Sequence, residues 1–207
     1  YGLVGSEMCI RDSYWDVSSG TIKIGGVPVT ELQTENLSDL TAFVFQDVFL
    51  LEDTLLENIR MGTDATEEQV RQAAKAAQID DFIMSLPKGY ATRIGDEGVK
   101  LSGGQQQRIS IARAILKDAP IVVFDEATSY SDIENEHKIQ LALQNLLRGK
   151  TTIMIAHRLH TIRNADKIFV FQDGKVVEQG THDELIASGS TYSHMWDTYT
   201  RETIGEE

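Results

Sequence analysis

Short apolar runs separated by helical stretches form the main pattern of this chain. Residues 21–24 alternate between polar and apolar positions and end in two glycines, which predicts a strand followed by a turn. Residues 42–45 and 121–124 are continuously apolar, which is typical of strands covered on both faces. Another strand is expected at 152–156. Together with the helices between them, these strands predict an α/β fold with a parallel sheet.

The stretch from about 47 to 107 has helical patterning instead. Residues 55–59 form a short amphipathic segment, and residues 80–86 form another that stops at a proline. Thr66 and Gln69 have the spacing of a capping box, in which a hydroxyl accepts a backbone N–H while the amide reaches back. We therefore expect a helical insertion within the α/β fold.

A second capping box is expected at Ser102 and Gln105, where a longer helix begins. Ile109, Ala112 and Leu116 then share one face of that helix. After the strand at 121–124, a helix is expected over 137–147 and a β-hairpin around Asp173-Gly174. The last 26 residues, 182–207, look helical.

Composition limits the classes of function. Of 207 residues, 41% are hydrophobic and 25% are charged, which is ordinary for one globular domain. The formal net charge is −13 and no basic run occurs, so no nucleic-acid partner is expected. The single cysteine, Cys9, cannot form an internal disulfide, which favours a reducing compartment. No run of about 18 apolar residues predicts a membrane span within this sequence.

Two carboxylates end the apolar run in IVVFDEAT, residues 121–128. Ligands of open α/β sheets bind at the carboxyl ends of strands, which is where Asp125 and Glu126 stand. We expect Asp125 to hold Mg²⁺, directly or through water, and Glu126 to orient and polarise an attacking water. The alternative is a pair of exposed acids in a turn.

The segment LSGGQQQR, residues 101–108, has the make-up of a phosphate site. Gly103 and Gly104 let backbone N–H groups approach an oxyanion, and the helix N-terminus adds a favourable dipole. Taken alone, the segment fits a plain capped helix as well. Its position about a dozen residues before IVVFDEAT favours a nucleotide site.

With these motifs the chain resembles the nucleotide-binding domain of ABC transporters. LSGGQQQR matches that family's signature motif, and IVVFDEAT matches its Walker B strand with the catalytic glutamate. Gln46 stands at the Q-loop position, residues 129–132 at the D-loop position and His157 at the switch-histidine position. The resemblance runs from residue 14 to the mid-190s. It implies a P-loop NTPase-like (RecA-like) core sheet with a helical signature subdomain at about 47–107.

Four longer segments are similar to the exporter-type branch of the family, in which each domain is commonly fused behind a transmembrane bundle. They are FQDVFLLEDTLLENI (45–59), GDEGVKLSGGQ (95–105), IAHRL (155–159) and GKVVEQGTHDELI (174–186). This resemblance implies a place at the cytoplasmic face of the plasma or inner membrane, reached through a missing or separate transmembrane domain.

The resemblance also implies an ATPase that works as a head-to-tail pair with a second ABC ATPase domain, in a homo- or heterodimer. Ser102, Gly103, Gly104 and Gln105 are then expected to form the surface that binds the ATP of the partner, and Asp132 to reach across the dimer.

Three further residues have roles implied by the resemblance. Gln46 is expected to sense Mg²⁺ or the attacking water and to signal to the transmembrane domain. His157 is expected to contact the γ-phosphate, and Glu126 to act as the catalytic carboxylate. ATP and Mg²⁺ are the expected substrate and cofactor.

The sequence departs from the family at its start. No G-x-x-x-x-G-K-[ST] phosphate loop occurs in the 207 residues, and Gly149-Lys150-Thr151 precedes a strand instead of linking strand to helix. Residues 1–13 look like a non-native junction, and 14–207 like a partial ABC ATPase domain with an incomplete N-terminal part. Such a fragment is expected to be inactive alone.

Two other functions stay open. One is a degenerate or regulatory half-domain, whose signature completes a partner's site without hydrolysing ATP itself. The other is an ABC ATPase of translation or DNA repair, which the acidic pI of about 4.8 and the absence of a basic patch disfavour.

Overall fold

The computed structural model describes residues 17–45, 47–95, 98–126, 133–156 and 158–205, with the backbone alone at 35, 126, 133, 134 and 202–205. The described helices are α1 (Thr34–Leu40), α2 (Leu55–Arg60), α3 (Glu67–Ala76), α4 (Asp80–Ser85), α5 (Gly103–Lys117), α6 (Ile133–Leu147), α7 (His182–Ser188) and α8 (Thr191–Gly205). The described strands are β1 (Lys23–Ile24), β2 (Val27–Pro28), β3 (Thr41–Val44), β4 (Ile121–Glu126), β5 (Thr151–Ala156), β6 (Ile168–Gln172) and β7 (Lys175–Gly180). Turns of 3₁₀ helix lie at Val29–Glu31, Gly89–Ala91 and Leu159–Ile162.

A sheet with the order β3-β4-β5 carries the apolar runs. β3 and β4 are parallel, with Thr41 opposite Ile121 and Val44 opposite Phe124. The side chains of Val44 and Phe124 are fully buried, as continuously apolar strands require. The predicted α/β fold class is confirmed.

Two compact units divide the chain, with the boundary between Ile153 and Met154. In the larger unit, helix α5 packs against α2, α3, α6 and strand β3. Its neighbours contribute small and branched side chains, so the helices pack closely. Buried hydrophobic residues of this unit include Leu55, Ile59, Val70, Ala73, Ala74, Ile83, Ile109, Ile111, Ala112, Ile139 and Leu146.

The smaller unit is built on the antiparallel hairpin of β6 and β7. Its turn residues, Asp173 and Gly174, have φ angles of 51° and 73°, as the predicted tight hairpin requires. Helices α7 and α8 follow. The core of this unit contains Ile168, Val170, Leu185 and Tyr192. The carboxylate of Glu178 accepts the N–H groups of Thr191 and Tyr192 at 2.6 and 3.1 Å, and so ties the start of α8 to β7.

Local structure agrees with most of the sequence patterns. Both predicted capping boxes form, at Thr66 with Gln69 and at Ser102 with Gln105. Helix α6 begins at Ile133, four residues before the predicted start at 137. Helix α1 was not expected, because its sequence TENLSDL offers few apolar positions, of which Leu37 is buried.

Candidate nucleotide site

The N-terminus of α5 holds the predicted signature residues. Ser102 is the N-cap: its Oγ accepts the N–H of Gln105 at 3.3 Å, and its own N–H donates to Oε1 of Gln105 at 2.9 Å. These two bonds use groups that the first helical turn otherwise leaves without partners. The capping box therefore fixes the backbone entering α5 and the positions of both side chains.

The surface at this helix start suits an anion. Ser102 and Gly103 are exposed, while Gly104 is buried. The first N–H groups of a helix have no carbonyl acceptor within it, and the helix dipole favours negative charge at this end. A helix of 15 residues whose N-cap and first residue are exposed can thus accept a phosphate at Ser102 and Gly103.

Gly104 allows α5 to approach α6 closely. A Cβ on Gly104 would lie 3.4 Å from both Cβ and Cγ of Asn135, which is tight. One turn further along α5, Nη1 of the buried Arg108 donates to Oδ1 of Asn135 at 2.9 Å. The start of the signature helix is therefore fixed on the first turn of α6.

Asp125 lies near the end of β4. Because β3 and β4 are parallel, their carboxyl ends lie at the same edge of the sheet. Asp125 is half-buried, and its Oδ1 is shielded from solvent. A carboxylate oxygen is the kind of ligand that Mg²⁺ takes in proteins. Among the described residues, no three acidic, histidine or cysteine side chains cluster as a metal site.

Other predicted site residues cannot be placed beside these. Gln46, Asp132 and His157 lie outside the described residues, as does the side chain of Glu126, whose backbone belongs to β4. The structure thus brings Ser102, Gly103, Gly104 and Gln105 together at one helix start and puts Asp125 near a strand end. The roles assigned to these nine residues stay predictions.

Comparison with known protein families decides the identity. The sequence model of the family described as "ABC transporter" matches residues 8–129, more than half of the chain. The chain belongs to the ABC transporter family. Its resemblance to the nucleotide-binding domain of that family is thereby confirmed.

Relatives of this ABC domain are named as a flippase and as a multidrug export protein. A protein named "ATP-dependent lipid A-core flippase" from Legionella pneumophila (strain Paris) is 50% identical over 195 residues, which are 94% of this chain and 33% of the relative. "Putative multidrug export ATP-binding/permease protein YgaD" from Bacillus subtilis (strain 168) is 50% identical over 184 residues, 88% of this chain and 32% of the relative. The chain spans about a third of the length of these relatives.

A solved structure of an ABC exporter is also similar to this chain. The structure titled "Structure of a bacterial Atm1-family ABC exporter with ATP bound" superposes with a TM-score of 0.84 at 39% identity, over 93% of this chain and 34% of that one. The similarity to exporter-type members is confirmed. In the part of the ABC domain that the structure describes, no helix is long and apolar enough to cross a membrane.

One polar residue on the signature helix, Arg113, was missed by sequence reasoning. Arg113, in the second half of α5, donates from Nε to the carbonyl of Asn58 and from Nη1 to the carbonyl of Phe49, each at 2.6 Å. Burial lowers the pKa of Arg113 to about 10, which leaves it cationic at neutral pH. The sequence did contain an indication of this residue, because Arg113 is a cation four residues after the buried Ile109, on the same face of the helix.

The segment 92–99 leads from the helical insertion into the signature. Ile94 donates its N–H to the carbonyl of Asp53 at 2.9 Å, and Leu55 donates to the carbonyl of Thr92 at 2.9 Å. Gly98 is required here, because a Cβ would lie 2.4 Å from the carbonyl oxygen of Arg93. The approach to Ser102 is therefore paired with residues 53–55.

Proposed function

We propose that this ABC domain binds and hydrolyses ATP to drive a membrane exporter, in a head-to-tail pair with a second ABC ATPase domain. The observation that carries the proposal is the start of α5. It presents a helix N-terminus with a complete capping box and with Ser102 and Gly103 exposed, within LSGGQQQR, in a chain that belongs to the ABC transporter family.

In this pair the signature binds the partner's nucleotide. Ser102 and Gly103 contact the phosphates through a hydroxyl and backbone N–H groups, and Gly104 keeps α5 close to α6. Gln105 holds the cap, so that the N–H groups are already oriented when the phosphate arrives. Asp132 reaches across the dimer interface.

The strand ends supply the hydrolytic groups of the domain's own half. Glu126 orients and polarises the attacking water, and His157 contacts the γ-phosphate. Asp125 and Gln46 hold Mg²⁺, which when bound neutralises charge on the phosphates. Most of the catalysis in this class is positioning and electrostatic stabilisation, which these groups can perform without covalent chemistry.

A transmembrane domain is the proposed second partner. Phe45, Phe49 and Leu51 are 37%, 66% and 37% exposed, so the segment after β3 presents three apolar side chains to solvent. We call these three side chains the 45–51 surface. Relatives are named as ATP-binding/permease proteins, which supports a permease partner and a place at the cytoplasmic face of the membrane. The names differ in cargo, lipid A-core in one and drugs in the other, so the proposal covers export and no cargo.

A degenerate half-domain is the second candidate. The 207 residues contain no G-x-x-x-x-G-K-[ST] loop, and a domain that only lends its signature needs none. Sequencing the original DNA upstream of the codon for Tyr14 separates the two. A frame that continues into a phosphate loop supports the hydrolysing domain, whereas a frame that begins at Tyr1 supports the degenerate one.

Pairing through the signature is tested with a complete ABC ATPase domain of the exporter type. That domain carries ATP, and its catalytic glutamate is changed to glutamine so that the ATP persists. The affinity of this chain for the loaded domain is measured by analytical ultracentrifugation. Ser102→Ala is expected to weaken ATP-dependent association at least tenfold, because it removes a phosphate contact and the cap that orients the N–H groups.

Thr66→Ala is the matched control. Thr66 is also an exposed N-cap with a complete capping box, on α3, so both variants lose the same kind of bond, worth about 1 kcal/mol. The control is expected to leave association unchanged. Equal association of the Ser102→Ala and Thr66→Ala variants would contradict the signature's role, as would association of the wild-type chain that does not depend on ATP.

A further inference from the structure

A half-buried arginine, Arg113, joins the signature helix to the segment that carries the 45–51 surface. The guanidinium of Arg113 donates to the carbonyl of Phe49, to the carbonyl of Asn58 and to Oδ1 of Asn58, at 2.6, 2.6 and 3.1 Å. Asn58 lies near the C-terminal end of α2, where the backbone carbonyls receive no hydrogen bond from an N–H group of the same helix. One side chain of α5 thus binds both α2 and the preceding segment.

Asn58 completes the connection. Its side chain is fully buried and uses both of its ends. Oδ1 accepts the N–H of Leu51 at 2.8 Å as well as Nη2 of Arg113, and Nδ2 donates to the carbonyls of Leu51 and Thr54 at 3.0 Å each. An amide has two donors and two acceptor positions, so this one is saturated. We call Arg113 and Asn58 the clamp.

The clamped segment, residues 49–54, is also paired with the residues that lead into the signature. Arg93 donates from Nη2 to the carbonyl of Glu52 at 2.9 Å, and Ile94 donates its N–H to the carbonyl of Asp53 at 2.9 Å. Residues 49–54 are therefore attached to both sides of Ser102, through the approach at 93–94 and through α5 itself.

We propose that the clamp makes residues 49–54 and α5 one rigid body, so that Arg113 passes a displacement of the signature on to the 45–51 surface. Arg113 is then a positioning residue, which touches no nucleotide. The proposal rests on the proposed function for the ligand that acts on the signature.

The chemistry favours arginine at this place. Three bonds leave one planar group in three directions, and a guanidinium holds such a fork rigidly. Lysine would keep the charge but offers a single flexible ammonium group, which cannot reach all three acceptors in this geometry. Arg113→Lys therefore loosens the clamp while retaining the cation.

Hydrogen exchange of the free chain tests the clamp itself. In Arg113→Lys the amides of residues 49–54 are expected to exchange at least tenfold faster than in the wild-type chain. The reason is that Asn58, whose Oδ1 accepts the N–H of Leu51, and the carbonyl of Phe49 lose the guanidinium that holds them in place. Arg71→Lys is the matched control. Arg71 lies on α3 of the same unit, pairs with Glu67 at 2.7 Å and stacks over Tyr90, away from residues 49–54. Unchanged exchange at 49–54 in Arg113→Lys overturns the proposal.

Transmission is tested in the complex with the ATP-loaded ABC domain described above. In the wild-type chain, complex formation is expected to slow exchange at residues 102–106 and also at 49–54. In Arg113→Lys, protection at 102–106 is expected to remain, with affinity within about twofold, whereas protection at 49–54 is lost. Protection of both segments in Arg113→Lys overturns the proposal.

The outcomes separate the two proposals. No protection at 102–106 in the wild-type complex means that the proposed function fails, and the transmission role fails with it. Protection at 102–106 without protection at 49–54 in the wild type overturns transmission alone. If Arg113→Lys does not fold, Asn58→Ala replaces it. That variant removes the acceptor that the N–H of Leu51 shares with Nη2 of Arg113, and it is expected to speed exchange at 49–54. No change in this variant also overturns the proposal.

Discussion

Truncation of Asn58 to alanine removes a fully buried amide that bonds to two other parts of the chain. The carbonyls of Leu51 and Thr54, to which Asn58 donates, each have a second donor in the backbone N–H groups of Asp53 and Asn58. The N–H of Leu51 and Nη2 of Arg113 instead lose the acceptor they share. The truncation therefore leaves two donors to be satisfied in another way.

The loss of stability in Asn58→Ala depends on how buried each of the two donors is. An unsatisfied buried donor costs about 1–3 kcal/mol. Leu51 is 37% exposed, so water replaces part of its lost bond, and about 1 kcal/mol is expected there. Bonds from charged groups are worth more, and the largely buried Arg113 is assigned about 2 kcal/mol. The sum of about 3 kcal/mol changes an opening equilibrium roughly 100-fold.

Native-state hydrogen exchange at α2 and α5 is the appropriate assay. The chain has two compact units, so one unfolding midpoint does not define the free energy of either unit. Asn145→Ala is the control: the exposed Asn145 donates one bond, from Nδ2 to the carbonyl of Ala76 at 2.8 Å, so its loss should cost at most about 1 kcal/mol. Asn58→Asp keeps an acceptor for both donors and should cost less than Asn58→Ala.

If Asn58→Ala and Asn145→Ala lower the free energy of opening by the same amount, the reasoning is refuted. The burial of Asn58 and its full set of hydrogen bonds would then not contribute to stability. A cost of Asn58→Asp equal to that of Asn58→Ala would refute the finer assignment, in which the acceptor end of the amide matters more than the donor end.

Two further predictions concern other segments. Gly98→Ala places a Cβ against the carbonyl oxygen of Arg93, a backbone atom that cannot rotate away. The N–H of Val99 bonds to that oxygen at 3.1 Å, so its hydrogen exchange is expected to become at least tenfold faster. An unchanged exchange rate contradicts this prediction. For Glu178, desolvation raises the pKa, but the bonds from Tyr192 and Thr191 outweigh it and lower the pKa below 4.5. The ionised Glu178 therefore supports α8 fully when the pH is above the pKa that Glu178 has in the unfolded chain. This support is lost as the pH falls through the lower pKa of the folded chain. Loss of α8 ellipticity on acidification should be steeper in the wild-type chain than in Glu178→Gln, and identical profiles contradict the assignment.

The strands were predictable because burial leaves a continuous apolar run. β3 and β4 begin within one residue of the predicted starts, and the register of Val44 with Phe124 explains why neither run alternates. Helix α6 was predicted four residues too short at its start, since polar residues such as Asn135 and Glu136 carry no apolar period. The bond from Arg108 to Asn135 orders that first turn, and such a contact cannot be seen from local sequence.

In the candidate site, the features that could be predicted from the sequence are those formed by residues close together along the chain. Ser102 and Gln105 are three residues apart, and their capping box is a local structure, which the structure confirms. The contact of Arg113 with Asn58 joins residues 55 positions apart, and it depends on how α2 and α5 pack. Only the presence of a cation on the apolar face of α5 pointed to it.

Helix α5 contacts α6 and α2 through separate faces. Gly104 and Arg108, one turn apart, face Asn135 on α6, while Arg113 lies five residues further on, about 140° around the helix, and faces α2. Gly104 and Arg113 are nine positions apart, which is about 14 Å of continuous helix. Because the helix is bonded at both contacts, the proposed transmission implies that a displacement at its start moves α6 and the clamped segment together. The helix that begins at the signature is therefore the element that contacts both α6 and the clamped segment.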